Sequence, residues 1–235
     1  AVLGAGVRSF NISVDGPTAA VHDAIRGRDG AFDITLGRIR RLVELRQDLD
    51  LAIRMNFTVL RDNVDQLPDI AALAQDLEVR LYLNLGSDRT FLFRDQEVSE
   101  HVKVDQPALR ASLAALEARM RVDPSGLPRP SDLRYIPKHF SDLVQADLPC
   151  AESQLKLMVH STGDVGGCWG HDASANVRDR PLAEIIDDPA YRDEHARLFR
   201  KECVGCGSNY SLNLRWRPTS YLADLRVRMG RELLP

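Results

Sequence analysis

The chain has 235 residues but no apolar run near the length of about 18 residues that a membrane-crossing helix needs. No signal-peptide pattern opens it, so a cytoplasmic home is expected. There is no internal repeat and no low-complexity tract, which sets aside solenoid architectures and disordered linkers. Charge of one sign is also lacking. A net charge of −3 gives no general attraction to nucleic acid or to an anionic membrane, and neither is expected as a partner. The chain opens without Met, on Ala1-Val2-Leu3-Gly4-Ala5-Gly6, which reads as the end of a helix running into a strand, so a preceding segment is expected. What remains is ordinary for a soluble domain: 44% hydrophobic and 28% charged, long enough for one large domain or one with a small appendage.

Cysteine is scarce and gathered in one place. All four, Cys150, Cys168, Cys203 and Cys206, lie in the last third of the chain, and the final two form a C-x-x-C pair. Seventeen residues separate Cys150 from Cys168, and thirty-four separate Cys168 from Cys203. Two single thiolates and one tight pair match the ligand count of a closed tetrahedral site, either zinc or an iron–sulfur cluster, and the spacing does not separate the two. Gly163, Gly166, Gly167 and Gly170 surround Cys168, and Gly205 and Gly207 flank Cys206. Glycine lets the backbone turn N–H groups toward a buried sulfur anion. The plainer readings are a disulfide, rare in a reducing compartment, and four unrelated buried thiols.

The first third alternates in type. Residues 8–14 read as a strand ending at Asp15-Gly16-Pro17, and residues 22–28 as a helical turn. Ala31 to Asp48 has Phe32, Leu36, Ile39 and Val43 near helical period. A strand at 51–60, a helix at 65–77 and a strand at 78–85 follow. Strand–helix alternation with short joins predicts parallel βαβ units, which bind ligands beyond the carboxyl ends of their strands. Those ends are Ser13 and Asp15, then Asn56 to Asn63, then Asn84 and Gly86, with Asp15 read as a turn cap. Further on, 108–121 reads as a helix. Pro124, Pro128, Pro130 and Pro137 read as an extended linker and domain boundary. Residues 155–164 read as a hairpin arm and turn delivering Cys168. Short helices are expected from Pro181 and from Pro189 to Lys201.

Two runs of residues resemble one known family. Ile12-Ser13-Val14-Asp15-Gly16-Pro17, His22-Asp23, Arg26-Gly27 and Gly30-Ala31-Phe32-Asp33 are similar to the fourth strand and following loop of radical S-adenosylmethionine enzymes that carry a C-terminal cluster domain. Cys150, the glycines before Cys168, Asn176, Leu182-Ala183-Glu184-Ile185 and Cys203-Val204-Gly205-Cys206 resemble the shortened auxiliary-cluster domain called twitch. The longer SPASM version has further cysteines after the C-x-x-C, whereas Gly207 to Leu214 has none, so one auxiliary cluster is expected. The family's C-x-x-x-C-x-x-C loop is absent from the chain.

The resemblance implies an α/β fold: a partial (β/α) barrel over 1–104, a helix and Pro-rich linker over 105–149, and a small α+β auxiliary domain with a β-hairpin over 150–235. It implies S-adenosylmethionine and an auxiliary 4Fe–4S cluster as cofactors, with a second 4Fe–4S cluster on the upstream segment. The reaction implied is hydrogen abstraction from a substrate carbon by a 5′-deoxyadenosyl radical. Cofactor contacts are expected from Ser13 and Arg26, and more weakly from Asn56 and Asn84. Cys150, Cys168, Cys203 and Cys206 would hold the cluster, with Trp169 and His171 as candidates for the substrate pocket. Partners would be an external electron donor of the flavodoxin or ferredoxin kind and either a peptide or a small molecule. Peptide maturation ranks first and oxidation or epimerisation of a sugar-like or aminoglycoside metabolite second. The rival from another class is a non-catalytic module stapled by a four-cysteine zinc site. Cys203→Ala is expected to abolish the inorganic centre and destabilise residues 150–210, while Trp169→Ala leaves it in place. Iron, zinc and sulfide analysis after anaerobic reconstitution reads both outcomes, and unchanged metal content in the cysteine variant refutes the ligand assignment.

Overall fold

The computed structural model describes residues 2–86, 100–142, 150–168 and 173–200. These fall into two compact units. The first comprises the described residues up to Gly86 together with Glu100–Ser141, and the second comprises those that follow.

The first unit is built on a parallel sheet of three strands in sequence order, β1 (Ser9–Ser13), β2 (Ala52–Val59) and β3 (Arg80–Leu85). Between β1 and β2 run α1 (Ala19–Arg26) and α2 (Ala31–Leu45), and α3 (Leu67–Asp76) joins β2 to β3. The alternation of the sequence sorts the two faces of the sheet. Ile53, Met55, Phe57 and Val59 on β2, and Leu81, Leu83 and Leu85 on β3, are buried. Arg54, Asn56 and Thr58, and Tyr82 and Asn84, point the other way and are half-buried. The apolar side meets a stripe of Leu67, Ile70, Ala71 and Ala74 on α3. α4 (Gln106–Val122), which buries Leu109, Leu113, Leu116 and Met120, packs against α3 in turn. α4 begins where the sequence marks a cap: the Asp105 carboxylate accepts the Ala108 N–H at 2.9 Å, with Pro107 in the first turn.

One segment departs from the sequence reading. The proline-rich stretch is not an extended linker, because Pro130–Asp142 forms a helix, α5, with Pro130 at its start and Pro137 inside it. A proline in a helix interior costs about 3 kcal/mol. Here the helix buries Leu133, Ile136 and Phe140, at helical spacing, in the first unit. Full burial of such side chains contributes roughly 1.5–3 kcal/mol each, so burial outweighs the breaker.

The same face of α5 carries His139, which is 0% exposed. Its Nε2 lies 2.9 Å from the Gly86 carbonyl oxygen, at the end of β3, and so donates to it, while Nδ1 has no partner among the described residues.

In the second unit, β4 (Met158–Val159), β5 (Asp164–Gly166) and β6 (Ala175–Asn176) form a small antiparallel sheet, following the short helix α6 (Glu152–Leu155). The β4–β5 turn closes through Gly163 at φ 92°, in the left-handed region that favours glycine. Val165 packs with Ile185 and Tyr191 in a local core. Ile185 comes from α7 (Leu182–Asp187) and Tyr191 from α8 (Pro189–Phe199), whose first turn is capped by Asp188 accepting the Ala190 N–H at 2.8 Å. No helix among the described residues is long and apolar enough to cross a membrane.

Burial holds the folded His139 ring below the ordinary imidazole value of 6.5, against the smaller pull of its bond to Gly86. The unfolded chain therefore takes up a proton near pH 6.5 that the folded ring refuses. Stability from this site is full above 6.5 and is lost as the pH falls from there toward the lowered folded value. The thermal midpoint is expected to drop between about pH 7.5 and about pH 5.5. The drop should be shallower in His139→Asn, as measured by scanning calorimetry of both proteins.

Candidate functional site

The parallel register decides which polar side chains meet. Ser13 stands opposite Asn56, Asn56 opposite Tyr82, and Thr58 opposite Asn84. Ser13, Asn56 and Asn84 thus share the polar face of the sheet and lie toward the carboxyl ends of their strands. Neighbouring strands run about 4.8 Å apart, which puts the Ser13 hydroxyl and the Asn56 amide on adjacent positions of one rank. Hydroxyl and amide groups there suit the ribose and amino-acid portions of a nucleoside-like cofactor, which parallel α/β sheets bind beyond the ends of their strands.

Arg26 is the last residue of α1, beside this rank. Its Nη2 pairs at 2.5 Å with Asp15 Oδ2. The guanidinium is 40% exposed and the carboxylate only 4%, so the pair is anchored by the buried partner.

Asp15 does more than cap its turn. Its Oδ1 accepts the Thr58 N–H of β2 at 3.0 Å, and its own N–H donates to His22 Nδ1 at 3.0 Å. Its carbonyl accepts from Asn63 Nδ2 at 3.0 Å. The Asn63 amide also donates to the Thr58 carbonyl at 2.9 Å and accepts the Leu60 N–H at 2.8 Å. His22 and Asn63 are both buried. A neutral His22 accepting at Nδ1 carries its proton on Nε2. Burial and the nearby Arg26 lower its pKa, while Asp15 and Asp23 oppose the shift. Asp23, on α1, accepts the Gly30 and Phe32 N–H groups at 2.7 and 2.8 Å and so fixes the joint between α1 and α2. Residue-by-residue reading missed His22 and Asn63 as parts of one network, because the bond that joins Asn63 to Asp15 spans 48 residues. For His22 the signal was the Asp15-Gly16-Pro17…His22-Asp23 run, which does not reach Asn63.

In the second unit, α8 brings together the segments bearing two of the candidate ligands. The Cys150 N–H donates to the Phe199 carbonyl at 3.0 Å. Gly167, just before Cys168, lies so close to the same helix that a β-carbon on it would stand 2.7 Å from His195 Nε2 and 3.1 Å from Leu198 Cδ1. A side chain there would have to displace the His195 ring. His195 and Phe199 are four residues apart, a rise of about 6 Å. The two cysteines are thus tethered to neighbouring turns of one helix, and both are half-buried. α8 ends at Phe199, four residues before Cys203 in the sequence. The thiol chemistry and this convergence fit a cluster or a zinc ion. Cys203, Cys206, Trp169 and His171 lie outside the described residues. Among the described residues, no three histidine, cysteine or acidic side chains come together as metal ligands.

No protein-family model matches the chain. The sequence is 35% identical over 213 residues to an AdoMet-dependent heme synthase of Nitratidesulfovibrio vulgaris, covering 84% of this chain and 55% of that protein. AdoMet-dependent heme synthases of Oleidesulfovibrio alaskensis and Methanosarcina barkeri match 31% and 33% of this chain at 38% and 35% identity, over 18% and 21% of their own lengths. The chain therefore spans about half the length of the first of these relatives and less of the others. The fold is similar to native anSMEcpe with bound AdoMet and Cp18Cys peptide, with a TM-score of 0.57 at 16% identity over 97% of this chain and 69% of that one. It is similar also to native anSMEcpe with bound AdoMet alone, with a TM-score of 0.56 over 97% of this chain and 68% of that one, again at 16% identity. The chain is thus similar in sequence to AdoMet-dependent heme synthases and in fold to AdoMet-bound anSMEcpe.

Proposed function

We propose that the chain forms part of a radical S-adenosylmethionine enzyme that abstracts hydrogen from a substrate carbon. In this reading the sheet Ser9–Leu85 is part of a (β/α) barrel, and residues 150–235 are a twitch-type auxiliary domain with one 4Fe–4S cluster. The observation that carries it is the alignment of Ser13, Asn56 and Asn84 on one polar face at the carboxyl ends of parallel strands, with Arg26 beside them. The Ser13 hydroxyl and the Arg26 guanidinium would hold the hydroxyl and carboxylate groups of the cofactor. Arginine suits a carboxylate because its planar fork gives paired, charge-assisted hydrogen bonds. Asp15, fixed to the β2 backbone, sets where that fork stands. Asn56 and Asn84 would supply amide contacts deeper on the same face. S-adenosylmethionine, when bound, supplies the hydrogen-abstracting chemistry, and the protein orients it and excludes water. Cys150, Cys168, Cys203 and Cys206 would hold the auxiliary cluster. Reducing equivalents would come from a flavodoxin- or ferredoxin-like donor in the cytoplasm, and a second 4Fe–4S cluster would be held upstream.

A tetrapyrrole is the substrate favoured by the 35% identity to heme synthases across most of the chain. Peptide modification is the second reading, favoured by the fold neighbour with a bound peptide. After anaerobic reconstitution the protein is expected to contain iron and sulfide and to bind S-adenosylmethionine. Arg26→Ala should weaken that binding about tenfold, a loss of about 1.4 kcal/mol. Equal affinity in the variant defeats the assignment of Arg26, and stoichiometric zinc without iron or sulfide replaces the cluster with a structural zinc site.

A further inference from the structure

The polar face of the sheet carries one rank that the proposed cofactor site does not use. Two residues before Ser13, Asn56 and Tyr82, the register aligns Asn11, Arg54 and Arg80 side by side. Arg54 is half-buried and Arg80 exposed. Elsewhere in this unit, arginines that bridge structural elements have acidic partners: Arg26 with Asp15, Arg46 with Glu78, and Arg61 with Glu100. Neither Arg54 nor Arg80 has an ion pair or side-chain hydrogen bond among the described residues. No acidic residue stands on this face of any of the three strands. The acid one rank below in β3's line, Glu78, is already engaged by Arg46.

Like charges at adjacent cross-strand positions are unfavourable, and a half-buried strand position ordinarily takes a β-branched or aromatic residue. An anion between the two forks reverses that cost, since each guanidinium offers paired donors to a carboxylate. We infer that Arg54 and Arg80 form an anchor for a carboxylate of a small-molecule substrate. Two residues of parallel strand span about 6.6 Å, so the backbone positions of Arg54 and Arg80 lie that far below the rank of Ser13 and Asn56. The anchor sets the depth at which a carboxylate-bearing substrate stops beneath the cofactor. It favours a small polycarboxylate over an uncharged peptide. This rests on the proposed function for the identity of the pocket, while the anion site itself does not.

The test uses two probes that differ only in charge. Ferric haem, with two carboxylates, and its dimethyl ester are titrated into the reconstituted protein by visible absorption, with glutarate as competitor. Haem is expected to bind at least about tenfold more tightly than the ester. Salt and glutarate should weaken the haem complex and leave the ester complex unchanged. Arg54→Gln with Arg80→Gln should erase the difference. Asn11→Asp, which adds a negative charge to the same rank without removing either arginine, should reduce haem affinity in the same direction. Circular dichroism of each variant checks the fold. Equal binding of haem and ester, undiminished haem binding in the arginine variant, or no salt-sensitive binding of haem or glutarate overturns the anchor. S-adenosylmethionine binding measured on the same samples reports on the proposed function separately.

Discussion

A single buried carboxylate ties the first unit together. Asp15 sits just past β1, yet its oxygens reach the backbone of β2 and the guanidinium at the end of α1, and its amide reaches an imidazole on that helix. Burying a charge is costly unless it is paired and hydrogen-bonded, and the Thr58 N–H and the Arg26 guanidinium each offset part of that cost. The turn after β1, the start of α1 and the last third of β2 are therefore not independent. Moving any one of them leaves a buried polar group of Asp15 short of a partner.

That constraint explains why the polar face is ordered at its upper end. Ser13 precedes Asp15 by two residues and Thr58 follows Asn56 by two, so the Asp15–Thr58 bond extends the strand register one step beyond the sheet. Asn63 then closes the loop after β2 by holding the carbonyls of both Asp15 and Thr58. Arg26 reaches the rim of this face with its direction already set, so little further side-chain entropy is lost when it meets a ligand.

Much of this was legible in the sequence because the period was clean. The apolar and β-branched run at 51–60 and the run at 78–85 read as strands, and the helical spacing of Leu36 and Ile39 gave α2, while which strand residues share a face is set by the parallel register. α5 was not legible, since Pro137 argues against a helix locally, and only burial of Leu133, Ile136 and Phe140 in the assembled unit decides otherwise. Asp15 read as a turn cap for the same reason: its bonds to Thr58 and Asn63 span more than forty residues, and no local pattern announces them. In the second unit the glycines near Cys168 read as letting backbone N–H groups turn toward sulfur, not as a close approach to a helix. What they approach, the His195 and Leu198 side chains of α8, became visible only in three dimensions.

Strand parity has an evolutionary corollary. Because successive side chains alternate between apolar and polar faces, one residue gained or lost inside β2 would exchange the two sets. It would turn Asn56 toward the helices and Phe57 toward the ligand face, undoing packing and recognition at once. The loops between elements are free of that parity, so divergence among relatives of this chain should gather length changes there and leave the residue count from Ala52 to Val59 untouched.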